Sequence, residues 1–153
     1  MSSMPNFEVI SLKEIPPQAS IPDVEKYPPV VLVVDDEQAI ADTLSIILRK
    51  SGFAVLTAFD GEGALELAAM VPPDLLLSDV MLGPGIDGTQ LAVEVVNAHP
   101  DCKVLLFSGH AATMDLLHDA REAGHNFTLL TKPVHPADLL ARIAQSLPTD
   151  RLA

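Results

Sequence analysis

The sequence predicts a three-layer α/β fold, in which helices cover both faces of a doubly wound, parallel five-stranded sheet. The first observation is that few polar residues interrupt five short runs rich in Val and Leu, as in strands buried on both faces. The second is that a segment with apolar residues at helical spacing follows each run. Such alternation is typical of a parallel sheet with right-handed crossover connections.

Size and composition restrict the function classes. The chain has 153 residues, enough for one ordinary domain, and 48% of them are hydrophobic, which predicts a real core. Its net charge of −12 argues against direct binding to nucleic acid or to an anionic membrane. The single cysteine, Cys102, excludes an internal disulfide framework, and no run reaches the roughly 20 apolar residues of a membrane span. We therefore expect a cytoplasmic protein.

Three segments are predicted from the change in composition. Residues 1–29 hold six of the 13 prolines and no apolar period, which indicates a largely irregular N-terminal extension with a short turn of structure around Phe7–Ile15. This extension is interpreted either as a flexible tail or as a segment that docks on the domain or a partner. Residues 30–147 form the predicted domain, and 148–153 a C-terminal tail, so that no output domain is expected to follow.

The first half of the domain is predicted to contain three strands and two helices. Gly52 suits the end of the first helix, Asp60 can cap the second, and Pro72-Pro73 stop it. In order, the predicted elements are strand Val30–Val34, helix Glu37–Lys50, strand Phe53–Phe59, a helix from Asp60 to Val71, and strand Leu75–Ser78.

The second half continues the alternation. His99-Pro100 ends its first helix, Gly124 its second, and Pro136 suits the first turn of the last helix. The predicted elements are helix Thr89–Ala98, strand Lys103–Ser108, helix Thr113–Ala123, strand Phe127–Leu130, and a helix from Pro136 to about Leu147.

The candidate functional residues lie where the strands end. Asp35 and Asp36 follow strand one, Asp79 follows strand three, Ser108 ends strand four and Lys132 follows strand five. In an open α/β sheet, ligands bind outside the carboxyl ends of the strands, at the point where the strand order reverses. We therefore expect these five side chains to face one site.

The residue types at this edge indicate phosphoryl chemistry with a metal. Three carboxylates repel one another, so their arrangement needs a cation, and all-oxygen ligands with room for water favour Mg²⁺. No His or Cys lies at these strand ends, which disfavours zinc. One carboxylate can then attack a phosphoryl group, while the metal and a lysine neutralise its oxygens and a serine hydroxyl binds one of them.

Four segments in order carry a resemblance to a known family. VLVVDDEQAI at strand one, LLLSDVML at strand three, LLFSGH at strand four and LLTKPVHPADLL at strand five resemble the receiver domain of two-component response regulators, over residues 30–147. The resemblance implies the CheY-like, flavodoxin-like fold with strand order 2-1-3-4-5.

Roles for individual residues follow from this resemblance. Asp79 would be the phosphoacceptor, and Asp35, Asp36 and Asp79 would hold Mg²⁺ together with the backbone carbonyl of Met81. Lys132 would pair with the phosphoryl group or the carboxylates, through a cis Lys132–Pro133 peptide.

The resemblance also implies a function. Ser108 would be the switch hydroxyl of a single-domain response regulator, which is a phosphorylatable switch and not an enzyme in the ordinary sense. A histidine kinase or phosphotransfer protein would supply the phosphoryl group. A downstream protein would bind the face of helix four, strand five and helix five, and the chain would be a monomer or a phosphorylation-dependent homodimer.

Three departures from the family pattern keep an alternative open. The segment VMLGPGIDG after Asp79 is one residue longer than usual, Leu129 stands where an aromatic residue is common, and GHNF precedes strand five. Strand alternation should place Phe127 on the same side as Leu129. The alternative is a phosphorylation-independent interaction module that keeps the fold. An aspartyl-phosphate hydrolase is disfavoured because Met81 occupies the place of its second acid.

Overall fold

The computed structural model describes residues 27–109 and 113–148, except for the side chains of Thr113 and Met114. The expectations for residues 1–26 and 149–153 lie outside this range. Five strands alternate with five helices, in the order β1 Val30–Val34, α1 Gln38–Lys50, β2 Ala54–Ala58, α2 Gly61–Met70, β3 Leu75–Asp79, α3 Gly88–Ala98, β4 Lys103–Ser108, α4 Thr113–Glu122, β5 Thr128–Thr131 and α5 Pro136–Ser146.

The five strands form one parallel sheet with the order β2-β1-β3-β4-β5. The order reverses between β1 and β3, which pair directly, with Val34 opposite Ser78. β3 pairs with β4, with Asp79 opposite Phe107. The predicted fold class and strand order are therefore confirmed, and the switch point lies where β1 and β3 end.

Predicted boundaries differ from the observed ones by one residue at several ends. β5 begins and ends one residue later than predicted, because its ladder with β4 extends until Thr131 lies opposite Ser108. α1 begins at Gln38 because Glu37 has extended backbone angles and occupies the N-cap position. Asp60 caps α2 as predicted, since its side chain accepts a hydrogen bond of 2.6 Å from the Gly63 N–H.

Two hydrophobic clusters cover the two faces of the sheet. One face packs against α2, α3 and α4, and its fully buried residues include Leu32, Leu76 and Leu106. The other packs against α1 and α5 and includes Leu77 and Ile143. Adjacent residues of one strand, such as Leu76 and Leu77, thus serve opposite clusters, which explains why the strands are apolar on both faces. In the described part of the chain, no helix is long and apolar enough to span a membrane.

Gly88 brings α3 against the end of β3. A Cβ atom at Gly88 would collide with the backbone carbonyl oxygen of Asp79, and the Gly88 N–H donates a 2.7 Å hydrogen bond to the Val80 carbonyl. Backbone atoms on both sides leave no flexible group to move aside. Glycine is therefore required here by the close approach of two chain segments.

We expect Gly88→Ala to lower the free energy of unfolding by about 1–3 kcal/mol, because the added methyl forces α3 away from β3. Urea titration measures this loss. Gly109→Ala is the matched control, since its Cβ would make only an ordinary 3.8 Å contact with the Lys132 Cβ. Equal stability of the two variants would contradict this account of the packing.

Candidate functional site

Asp79 ends β3 at the switch point and is nearly buried. Its Oδ1 accepts a 3.2 Å hydrogen bond from the Met81 N–H, and its Oδ2 accepts one of 2.8 Å from the Lys132 ammonium. The side chain is thus oriented from both sides by groups on two different elements. Met81 itself is half-exposed at the rim of the site.

The two acids after β1 have different environments. Asp35 is completely buried, and its Oδ1 accepts a 2.9 Å hydrogen bond from the Glu37 N–H, whereas Asp36 is exposed. Asp35, Asp36 and Asp79 can each place one carboxylate oxygen within 4.8 Å of the others. The three acids therefore lie close together in the structure, as expected from the sequence.

The three acids fit a hard divalent cation. Oδ2 of Asp35 is buried and accepts no hydrogen bond from the described residues, and its nearest cation is the Lys132 ammonium at 3.5 Å. Among the described residues, one lysine faces three carboxylates, two of which are buried, so the site carries an excess of negative charge. A cation with oxygen ligands would relieve this repulsion, and the exposed Asp36 leaves room for water on the metal.

Lys132, immediately after β5, contacts the acids. Its ammonium contacts Asp79 and Asp35, and it also lies 4.9 Å from the centre of the Phe107 ring. The Lys132–Pro133 peptide is cis, as the resemblance implied. Phe107 was not among the residues predicted for the site, because its contact with Lys132 depends on how β4 and β5 are paired.

Two pKa values reflect this arrangement. Burial raises the pKa of Asp35 above its ordinary value, and the nearby charges of Asp79 and Asp36 add to this, while the Glu37 N–H and Lys132 oppose it. Burial works to lower the pKa of Lys132, but the hydrogen bond and the charge of Asp79, with the charge of Asp35, outweigh it and raise the pKa. The site therefore holds its lysine charged and disfavours the charge on its most buried acid.

Ser108 ends β4 at the same edge of the sheet and is buried. Its carbonyl accepts a 3.1 Å hydrogen bond from the Lys132 N–H, which fixes the ends of β4 and β5 together. The neighbouring Gly109 lies beside the Lys132 side chain. The structure thus places all five predicted side chains at one edge of the sheet.

Leu129 and Phe127 lie at the opposite side of β5 from α5. Both are partly buried and pack against the cluster formed with α2, α3 and α4, as strand alternation predicted. The Phe127 ring stacks on His125, with ring centres 5.7 Å apart. The Phe127 side chain is thus held in place by His125, a residue that the sequence did not single out.

Cys102 immediately precedes β4 and is buried. Burial raises the pKa of its thiol to about 12, so the thiolate is disfavoured. This cysteine is a packing residue and lies outside the site.

Comparison with known proteins agrees with the fold. The sequence matches the family model of the response regulator receiver domain over residues 31–144. A CheY-like receiver domain protein from Methanospirillum hungatei is 28% identical, with a TM-score of 0.71 over 80% of this chain and 96% of that one. The chemotaxis protein CheY4 of Vibrio cholerae is 27% identical, with a TM-score of 0.69 over 78% of this chain and 99% of that one.

A third similar structure is that of a response regulator from Chloroflexus aurantiacus, described as putative. It is 31% identical, with a TM-score of 0.66 over 77% of this chain and 96% of that one. The fold and site define a two-component signalling domain of the CheY-like class. The chain belongs to the response regulator receiver domain family, whose members are signalling switches that bind Mg²⁺ at an acidic cluster.

Proposed function

We propose that this chain is a single-domain response regulator that accepts a phosphoryl group on Asp79. The observation that carries the proposal is the position of Asp79 between Lys132 and the acid pair of β1, with its oxygens held by the Lys132 ammonium and the Met81 N–H. This arrangement supplies a nucleophile, a fixed positive charge and a place for a second cation, which are the parts that phosphoryl transfer needs.

Asp35, Asp36, Asp79 and the backbone carbonyl of Met81 would hold Mg²⁺. The bound ion would neutralise charge on the oxygens of the transferring group. An oxygen of Asp79 would attack the phosphorus of a phosphohistidine donor, forming an acyl phosphate as the bond from phosphorus to the donor's nitrogen breaks. Lys132 would move its hydrogen bond from the Asp79 carboxylate to a phosphoryl oxygen.

The conformational effect of phosphorylation would be transmitted from the site through the end of β4. The Ser108 hydroxyl would bind a phosphoryl oxygen and shift a pre-existing balance between two states of the face formed by α4, β5 and α5. A histidine kinase or phosphotransfer protein would be the donor, and a downstream protein would bind that face. Residues 30–147 would form this switch, with 1–29 and 148–153 as extensions, in the cytoplasm.

Intact-mass measurement after incubation with Mg²⁺ and a small phosphodonor tests the proposal. We expect one acid-stable, base-labile phosphoryl group on the wild type, and none on Asp79→Asn or in the absence of Mg²⁺. A phosphoryl group on Asp79→Asn would show that the acceptor lies elsewhere. The absence of any adduct from a wild type that also binds no Mg²⁺ would contradict the proposed function.

The second candidate is a phosphorylation-independent interaction module. Leu129, in place of the aromatic residue common in the family, favours it, because the usual coupling of the switch hydroxyl to an aromatic ring has no equivalent at this position. Mg²⁺ binding discriminates between the two, since a module that has lost the switch has no need of the metal.

A further inference from the structure

The loop between β3 and α3 is attached at its middle to a distant helix. The Ile86 N–H donates a 3.2 Å hydrogen bond to Oε1 of Glu62, in the first turn of α2. Gly85, at φ +95°, passes so close to this carboxylate that a Cβ there would lie 2.6 Å from Oε1. The Ile86 side chain packs directly on Gly61, where a Cβ would collide with it. Three adjacent contacts therefore hold the loop on the start of α2.

The same loop borders the acid cluster on its other side. Gly83, at φ +77°, lies against Asp36, since a Cβ at Gly83 would be 3.5 Å from the Asp36 Oδ2. The loop begins at Asp79 itself, whose carboxylate is bound by the Met81 N–H. A displacement of the loop from α2 would therefore be transmitted to two of the three clustered acids.

Glu62 is not needed to begin its own helix. Asp60 already caps α2 through the Gly63 N–H, so the Glu62 carboxylate is directed at a segment 24 residues further along the chain. Glu62 also adds a negative charge to a chain with a net charge of −12. A loop N–H that donates to this carboxylate gives the side chain a structural use that a residue without an acceptor oxygen could not supply.

We propose that Glu62 is a positioning residue for the proposed Mg²⁺ site, acting through the loop that contains Gly83, Gly85 and Ile86. The inference rests on the proposed function. Glu62 does not contact the metal. It fixes the loop that borders Asp36 and Asp79, in the way that outer hydrogen bonds fix metal ligands in other proteins.

The test is calorimetric titration of the full chain with Mg²⁺, because the absence of tryptophan removes a convenient fluorescent reporter. We expect Glu62→Ala to raise the Kd for Mg²⁺ about three- to tenfold. Glu62→Gln should stay within about twofold of the wild type, since its amide oxygen can accept the same N–H. Glu66→Ala is the matched control, because Glu66 is an exposed acid one turn further along α2.

Phosphorylation kinetics with a small phosphodonor supply a second readout. Saturating Mg²⁺ should restore the rate of Glu62→Ala to near the wild-type value, whereas a variant that is merely unfolded in part would keep a lower maximal rate. Gly85→Ala should weaken Mg²⁺ binding as well, and the double variant should be less impaired than the sum of the two changes in binding free energy.

Four results would overturn the inference. Glu62→Ala with the Mg²⁺ affinity of the wild type, or Glu62→Gln as weak as Glu62→Ala, would show that the hydrogen bond does not position the site. Full additivity of Glu62→Ala and Gly85→Ala would show that the two residues do not act through one contact. Failure of the wild type to bind Mg²⁺ would instead overturn the proposed function and this inference with it.

Discussion

Replacement of Lys132 by Met is expected to lower the free energy of unfolding by about 2–3 kcal/mol at neutral pH without Mg²⁺. The methionine side chain keeps much of the apolar stem of the lysine, but it removes the ammonium that lies over the Phe107 ring, which is the only cation that contacts Asp79 and Asp35 among the described residues. Two nearly buried carboxylates would then face each other and Asp36 without compensation. Lys132 is about a quarter exposed, which reduces the loss below that of a fully buried pair.

Urea unfolding at several pH values measures this effect. The destabilisation should shrink as the pH falls through the raised pKa of Asp35, because the uncharged acid no longer needs the lysine. Mg²⁺ should restore part of the lost stability, since the metal can replace the missing positive charge. Lys103→Met, at an exposed position on β4, is the control and should have little effect. A loss for Lys132→Met that is independent of pH would indicate lost packing and not lost charge.

The fold could be predicted from the sequence because its signals are local: short apolar runs for the strands, and apolar residues at helical spacing for the helices. The short apolar run around Leu76 and Leu77 predicts a strand covered on both sides, and in the structure these two residues do serve opposite faces. The meeting of Asp35, Asp79 and Lys132 could also be predicted, because parallel strands bring their carboxyl ends to one edge. The strand order itself came from the family resemblance and not from periodicity.

Contacts between side chains and distant segments of the chain could not be predicted in the same way. The hydrogen bond from Ile86 to Glu62 joins residues 24 positions apart through side-chain geometry that no period encodes. The extra length of the loop after Asp79 was visible in the sequence, but its attachment to α2 was not. The same holds for Phe107, whose ring position beside Lys132 depends on how β4 and β5 are paired.

Replacement of Asp35 by Asn is expected to raise the stability of the chain, whereas replacement of Lys132 by Met lowers it. We expect a gain of about 1–2 kcal/mol in the free energy of unfolding at neutral pH without Mg²⁺, because the most buried carboxylate loses its charge. The asparagine oxygen can still accept the hydrogen bond from the Glu37 N–H, and its amide N–H groups can donate to neighbouring carboxylates. The same change should weaken Mg²⁺ binding at least about tenfold.

The raised pKa of Asp35 determines how the stability of the wild type changes with pH. Because the pKa of Asp35 in the folded chain is raised above its ordinary value of 3.8, the folded state binds a proton more tightly than the unfolded state. Wild-type stability should therefore fall, on account of this group, as the pH rises from 3.8 through the folded pKa. Asp35→Asn lacks this decline. The difference in free energy of unfolding between Asp35→Asn and the wild type should therefore grow from pH 3.8 to the folded pKa of Asp35 and stay constant above it.

Thermal unfolding with and without Mg²⁺ connects this stability gain to function. The wild type should be stabilised by added Mg²⁺, and Asp35→Asn much less, because binding to the folded state is what raises the unfolding temperature. Asp42→Asn, which removes an exposed charge from α1, should change neither quantity. A destabilised Asp35→Asn without Mg²⁺ would contradict the argument that the site holds excess negative charge. Higher stability combined with weaker Mg²⁺ binding would show that repulsion among the three carboxylates lowers the stability of the wild type. The chain would then keep these carboxylates because the metal site requires them.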